Sequence, residues 1–282
     1  MITSSIKINA SAEKIWQALT QKDKMKEWYF DIPDFELKEG AEFNFYEPGD
    51  ARLFHHKCVI KEIVPNKKFS HTWTHPEHSK GESTVTWTLD EQENGTLVTL
   101  THSGIESFVD AGPDFAPENY QMGWDGFMFI LKNYCYGIKP RIYTIDINAN
   151  AERVWSALFD LDNYKEWTSV FCPGSYYEGK LEIGSKILFL NPNGSGMFSN
   201  VHYMIYPKDL IFQHEGEVMD FKEQPLTDEV EKWSGSFERY SLKETKNGTK
   251  LIAEVDLTEE HKDYFDEHFP KGLKIVKELA EK

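Results

Sequence analysis

Apolar and polar residues alternate with period two over Ile2–Ile8 and again over Arg141–Ile147, the pattern of a half-buried strand. In each case the period then changes to that of a helix. Ile15, Trp16 and Leu19 form one apolar stripe, matched by Val154, Trp155 and Leu158, the spacing of a helix with one buried face. Ser11 and Asn150 precede these stripes as N-caps, and Glu13 and Glu152 fall in the first turn, where the helix dipole favours a carboxylate. A second short helix is predicted in each copy, ending at Trp28 and Trp167.

Strand patterns follow. Phe43 and Phe45 share a face, as do Ile187 and Phe189. Turns are predicted at Pro48-Gly49-Asp50 and at 191–194. Further strands cover 56–64 and 69–74 in the first half, and 201–206 and 210–214 in the second. Asn94-Gly95 and Asn247-Gly248 are strong hairpin signals, joining 84–90 to 97–101 and 237–243 to 251–255. Each half closes on a long helix, 118–136 and 259–280, the latter expected to be kinked or two-part at Pro270 and Gly272.

The parallel order reflects a duplication. Residues 8–29 and 147–168 are identical at twelve of 22 positions. The offset of 139 residues is far longer than a solenoid period, so the chain is a doubled domain and not a repeat array. The boundary is placed near Gly137-Ile138-Lys139-Pro140, where glycine can cap a helix and proline cannot continue one. This gives domains 1–138 and 139–282.

Composition narrows the function classes. The 282-residue chain has 31 basic and 47 acidic side chains, a net charge of −16. That balance argues against nucleic acid, whose phosphates are held by clustered Lys and Arg. No apolar run approaches the ~20 residues of a membrane span, and Met1-Ile2-Thr3-Ser4-Ser5 does not read as a signal peptide. Cys58, Cys135 and Cys172 have no paired spacing, which argues against a disulfide framework or a zinc site and fits a reduced cytoplasmic setting. His71, His75 and His78 cluster, but 75–81 reads as an exposed loop with no metal-ligand spacing. No G-x-S-x-G nucleophile motif and no phosphate-binding glycine loop occur. No metal and no cofactor are expected.

The motifs resemble those of the START-like (SRPBCC, helix-grip) superfamily, and within it the family of the C-terminal domain of the activator of Hsp90 ATPase. The resemblance is carried by Ala10-Ser11-Ala12-Glu13-Lys14-Ile15-Trp16, Leu37-Lys38-Glu39-Gly40, Val64-Pro65-Asn66-Lys67-Lys68-Phe69, His102-Ser103-Gly104 and Gly123-Trp124-Asp125-Gly126. It covers nearly all of residues 1–138. It covers 139–282 more loosely, where the last two motifs are absent. It implies an α+β class: two helix-grip domains, each a curved antiparallel sheet wrapped around a long C-terminal helix, with two short helices after the first strand. It also implies an apolar cavity between sheet and helix, since family members bind lipids, hormones or polyketides and a minority are enzymes.

The inward strand faces then suggest a site. Phe69, His71 and Trp73 share a face, as do Val85, Trp87 and Leu89, and Val98, Leu100 and His102. The expected ligand-binding set in the first domain is Phe43, Phe45, His71, Trp73, Trp87, His102, Trp124 and Phe127. Phe189, His214, Tyr240 and Phe265 are added from the second. Phe and Trp supply walls, and His and Tyr supply orienting donors or acceptors. The expected partner is a small apolar or aromatic ligand. A protein-interaction module with a chaperone partner is the alternative, and a cyclase- or hydrolase-like enzyme on a hydrophobic substrate is the second alternative. The acidic stretch 218–233 is expected to be an exposed loop or short helix, with a plain loop preferred over a lid or a partner contact.

Overall fold

The computed structural model describes residues 1–46 and 54–282, so the turn expected at Pro48-Gly49-Asp50 lies outside the described residues. The chain divides into two units, Met1–Tyr136 and Gly137–Lys282. In the first, the opening alternation becomes strand β1 (Ile2–Ile8), followed by helices α1 (Ala12–Thr20) and α2 (Lys22–Trp28). Strands β2 (Glu42–Tyr46), β3 (His55–Val64), β4 (Lys68–Trp73), β5 (Ser83–Gln92) and β6 (Gly95–Ser103) complete a six-stranded antiparallel sheet in the order β1-β6-β5-β4-β3-β2. Helix α3 (Pro117–Tyr136) buries Trp124, Met128, Leu131 and Cys135 against it.

The second unit repeats this plan with β7 (Lys139–Ile147), α4 (Ala151–Phe159) and α5 (Leu161–Thr168). Its strands are β8 (Tyr176–Gly179), β9 (Lys186–Leu190), β10 (Gly196–Ile205), β11 (Asp209–Met219), β12 (Lys222–Glu223), β13 (Phe237–Thr245) and β14 (Gly248–Leu257). A short helix α6 (Asp228–Trp233) precedes β13, and α7 (Glu259–Glu281) ends the unit. The sheet runs β7-β14-β13-β11-β10-β9-β8, with β12 paired to β11. The protein is therefore α+β, two antiparallel sheets each packed against a long helix.

The duplicated motif acts alike in both copies. Ser11 Oγ accepts from the Lys14 amide at 3.2 Å, and Asn150 Oδ1 accepts from the Arg153 amide at 3.0 Å, capping α1 and α4. The Trp28 indole N–H donates to the Ala18 carbonyl at 3.0 Å, and the Trp167 indole N–H to the Leu158 carbonyl at 2.9 Å. Each tryptophan thus fastens the second short helix to the first. Glycine is required at both hairpins: a Cβ on Gly95 or Gly248 would lie 2.3 or 2.2 Å from the carbonyl oxygen of Ile8 or Ile147.

Three expectations are corrected. Over residues 218–233 the preferred plain loop gives way to strand pairing and to the short-helix alternative. These residues extend β11, turn back through β12 and form α6, which buries Val230. Helix α7 is one continuous helix with Pro270 in its interior, not two pieces. Its Gly272 lies beside Trp167, whose ring would be 3.1 Å from an added Cβ, so that glycine serves packing and does not end the helix. Finally, His75 is not exposed: only 2% of its surface is accessible.

Candidate functional site

The first domain brings its eight named residues together. Phe43, Phe45, His71, Trp73, Trp87, His102 and Trp124 are buried, and Phe127 is half-buried against them. The cavity touching Phe43, His71 and Trp87 has a volume of about 10 Å³, the space of roughly one water. Many polar atoms are engaged in internal hydrogen bonds, while the Tyr29 hydroxyl, His56 Nδ1 and His75 Nδ1 are buried without a partner among the described residues. The Trp124 indole N–H donates to His102 Nδ1 at 3.1 Å, so His102 Nε2 carries the proton and donates to Ser83 Oγ at 2.7 Å. Ser83 donates to the Trp73 carbonyl at 3.1 Å. The Trp73 indole N–H reaches His75 Nε2 at 3.1 Å, and the Tyr120 hydroxyl reaches the same nitrogen at 2.7 Å. His71 Nδ1 donates to the Thr72 carbonyl at 2.8 Å. His56 stacks on Phe45 with ring centroids 4.6 Å apart.

Burial is the main reason these imidazoles stay neutral. It pushes His56 and His102 down to about 3, and His71 and His75 down to about 4, with neighbouring histidines adding to the effect at all but His71. A ring that resists protonation this strongly is a structural donor and acceptor, not a proton shuttle near neutrality.

The second domain has an open pocket. A cavity of about 290 Å³ is lined by Tyr164, Trp167 and Thr168 of α5, and by Phe171, Cys172 and Ser175 just after it. Phe189, Gly196 and Met197 from β9 and β10, Glu238 from β13, and Tyr264, Phe265 and Phe269 from α7 close the remaining sides. Its volume lies near the lower end of the ~300–1,000 Å³ usual for small-molecule sites.

Strand register explains why this pocket exists. Counting back from the two Asn-Gly hairpins, Val85 and Glu238 occupy equivalent positions, as do Trp87 and Tyr240, and Leu100 and Ala253. Continuing across the ladder, Phe69 corresponds to Leu210, and His71 to Phe212. Trp73 corresponds to His214, since each lies opposite a serine, Ser83 or Ser236. Phe45 and His56 correspond to Phe189 and Met197. In the first domain the Trp73 ring packs on Phe45 and His56, with centroids 5.4 and 4.7 Å away. In the second domain the counterparts of those two neighbours line the pocket. The cavity lies at the level that an indole fills in the other copy.

One charged side chain lines it. Glu238 alternates in phase with Tyr240 and Leu242 along β13, which aims it inward. Its side chain remains 22% exposed. Tyr240 donates its hydroxyl to Glu238 Oε1. His214 Nε2 lies 3.4 Å from Glu238 Oε2, and His214 Nδ1 lies 2.8 Å from Ser199 Oγ. Both imidazole nitrogens are thus engaged, one by the Ser199 hydroxyl and one by the carboxylate. Burial and the Glu238 charge hold the Tyr164 hydroxyl well above its ordinary range, so it stays protonated.

Of the four second-domain residues named from sequence, Phe189 and Phe265 line the pocket, while His214 and Tyr240 lie behind it and hold Glu238. Sequence reasoning missed Glu238, Tyr164, Trp167 and Phe171 as site residues. For Glu238 a signal was present, since a carboxylate in phase with inward Tyr240 and Leu242 breaks the strand alternation. Among the described residues, no group of three or more His, Cys, Asp or Glu side chains is placed to hold a metal ion, and no helix is long and apolar enough to cross a membrane.

The profile of the family described as Activator of Hsp90 ATPase homolog 1-like protein matches residues 9–134. The solution structure of the Aha1 dimer from Colwellia psychrerythraea is 30% identical over 47% of this chain and 92% of that chain, with a TM-score of 0.36. DynU16, from the dynemicin biosynthetic locus, is 14% identical over 99% of this chain and 97% of its own, with a TM-score of 0.41. The di-domain ARO/CYC StfQ from the steffimycin biosynthetic pathway is 10% identical over 100% and 97%, with a TM-score of 0.39. No curated protein matches the chain.

Proposed function

With the first domain belonging to the activator of Hsp90 ATPase homologue 1-like family and the second repeating its fold, we propose that this protein binds a small hydrophobic or aromatic molecule in the second domain. The observation that carries the reading is the 290 Å³ pocket walled by aromatic rings from α5, β9 and α7. Burying an apolar ligand against such walls contributes about 25 cal/mol per Å² removed from water, and the half-buried rings of Phe189 and Phe265 supply contact area without rearrangement.

The test is titration with N-phenylnaphthylamine, a neutral probe whose fluorescence rises in apolar surroundings. Binding is expected, weakened about tenfold by Phe265→Ala, a loss of ~1.4 kcal/mol, and unchanged by Phe127→Ala in the first domain. No binding by the intact protein, or loss confined to Phe127→Ala, overturns the proposal.

A further inference from the structure

Resting on the pocket reading above, we propose that the natural ligand is an organic cation: an apolar or aromatic body carrying a positively charged nitrogen that pairs with Glu238. Glu238 is the one charged side chain among the residues lining the pocket, and no lysine or arginine lines it. The neighbouring Arg239 offers no compensation. Its guanidinium is engaged by Glu254 and Asp256 at 2.9 and 3.0 Å, and strand alternation sends it to the opposite face of the sheet.

A half-buried carboxylate without a cationic partner is electrostatically incomplete. Here it is also fixed in place. Tyr240 holds one oxygen and His214 approaches the other, with Ser199 steadying the imidazole from behind. Such an arrangement keeps the carboxylate in the pocket wall instead of letting it swing out to water. The surrounding rings favour the same ligand class. Tyr164, Trp167, Phe171, Phe189 and Phe265 present aromatic surface, and ring faces attract cations by ~0.5–2 kcal/mol depending on desolvation. The chain's net charge of −16 adds a long-range field that draws cations and repels anions.

The first domain lacks this device at the equivalent level. Val85 stands where Glu238 stands, and His102, paired to Val85, is held neutral by Trp124 and Ser83.

The experiment is competition against N-phenylnaphthylamine at about pH 8, where an ordinary imidazole is neutral. The competitors are phenyltrimethylammonium and its uncharged isostere tert-butylbenzene. The cation is expected to displace the probe at about tenfold lower concentration than the isostere. Glu238→Gln, which keeps the side-chain shape, should abolish that preference, so that the cation and the isostere displace the probe at equal concentrations. Equal potency of the two competitors on the unmodified protein, or a preference that survives Glu238→Gln, overturns the cation assignment while the pocket stands. Failure of the probe itself to bind overturns the pocket reading and this inference with it.

Discussion

At equivalent positions of two ladders with the same register, the first domain carries Phe69, Trp73, Trp87 and Leu100 where the second carries Leu210, His214, Tyr240 and Ala253. Each exchange from first to second removes side-chain volume. The backbone plan, caps and hairpins are kept. The lesson is that copies sharing a strand order can differ in how their interiors are filled, because protein interiors are close-packed and a missing ring is not refilled by backbone collapse. The connections differ as well, with residues 104–116 between β6 and α3 but only Thr258 between β14 and α7. The polar residues move as well. The first domain buries neutral imidazoles in hydrogen bonds to indoles, hydroxyls and carbonyls, whereas the second places a carboxylate at the pocket wall.

The largest expected contrast is in acid. His56, His71, His75 and His102 have folded-state values of about 3 to 4, below the ~6.5 of an unfolded histidine. The unfolded chain therefore binds more protons, and the stability these rings contribute is complete above about pH 6.5 and is lost as pH falls toward 4 and then 3. Each ring amounts to about 3 kcal/mol when that loss is complete, comparable in total to the 5–15 kcal/mol of a whole domain. The second domain has one buried histidine, His214, already facing a carboxylate. NMR spectra followed from pH 7 to 4 should show first-domain amide signals collapsing before second-domain signals. Simultaneous loss of both sets would break the contrast.

Exchanging residues across the ladder comes next. Trp73→His should open the first core and destabilise it by about 3 kcal/mol, seen as a drop in its unfolding midpoint in urea. The reciprocal His214→Trp should fill the second pocket and weaken N-phenylnaphthylamine about tenfold, ~1.4 kcal/mol. If His214→Trp binds the probe as tightly as before, the equivalence between that ring position and the pocket is wrong.

The smallest effect concerns what the copies share. Ser11→Ala and Asn150→Ala should each cost about 1 kcal/mol, because both side chains cap their helices through the same bond. Unequal losses measured by hydrogen exchange within α1 and α4 would show that the repeats differ even at their common motif.

Much of the fold was legible because its determinants are local. Ser11, Asn150, Asn94-Gly95 and Asn247-Gly248 act on residues within a turn of themselves, and the period of Ile2–Ile8 declares a strand without reference to the rest of the chain. From sequence, residues 218–233 stay open between a loop and a short helix for the opposite reason. Their acidic surface hid a helix whose support is Val230, buried against the domain. His75 was misread because the Pro76 and Gly81 around it signal a loop, while Trp73 and Tyr120, the latter 45 residues away, draw its ring inside.

The sequence by itself determined the duplication, the order of elements and the inward face of each strand, since periodicity and caps are properties of neighbouring residues. Only the tertiary structure decided where the second copy is hollow and where its carboxylate stands. A cavity is a deficit of volume summed over side chains from α5, β9, β10, β13 and α7, and no stretch of chain contains that sum. Glu238 became the charged feature of a pocket only when strands far apart in sequence set it beside Tyr240 and His214 and left no cation there to meet it.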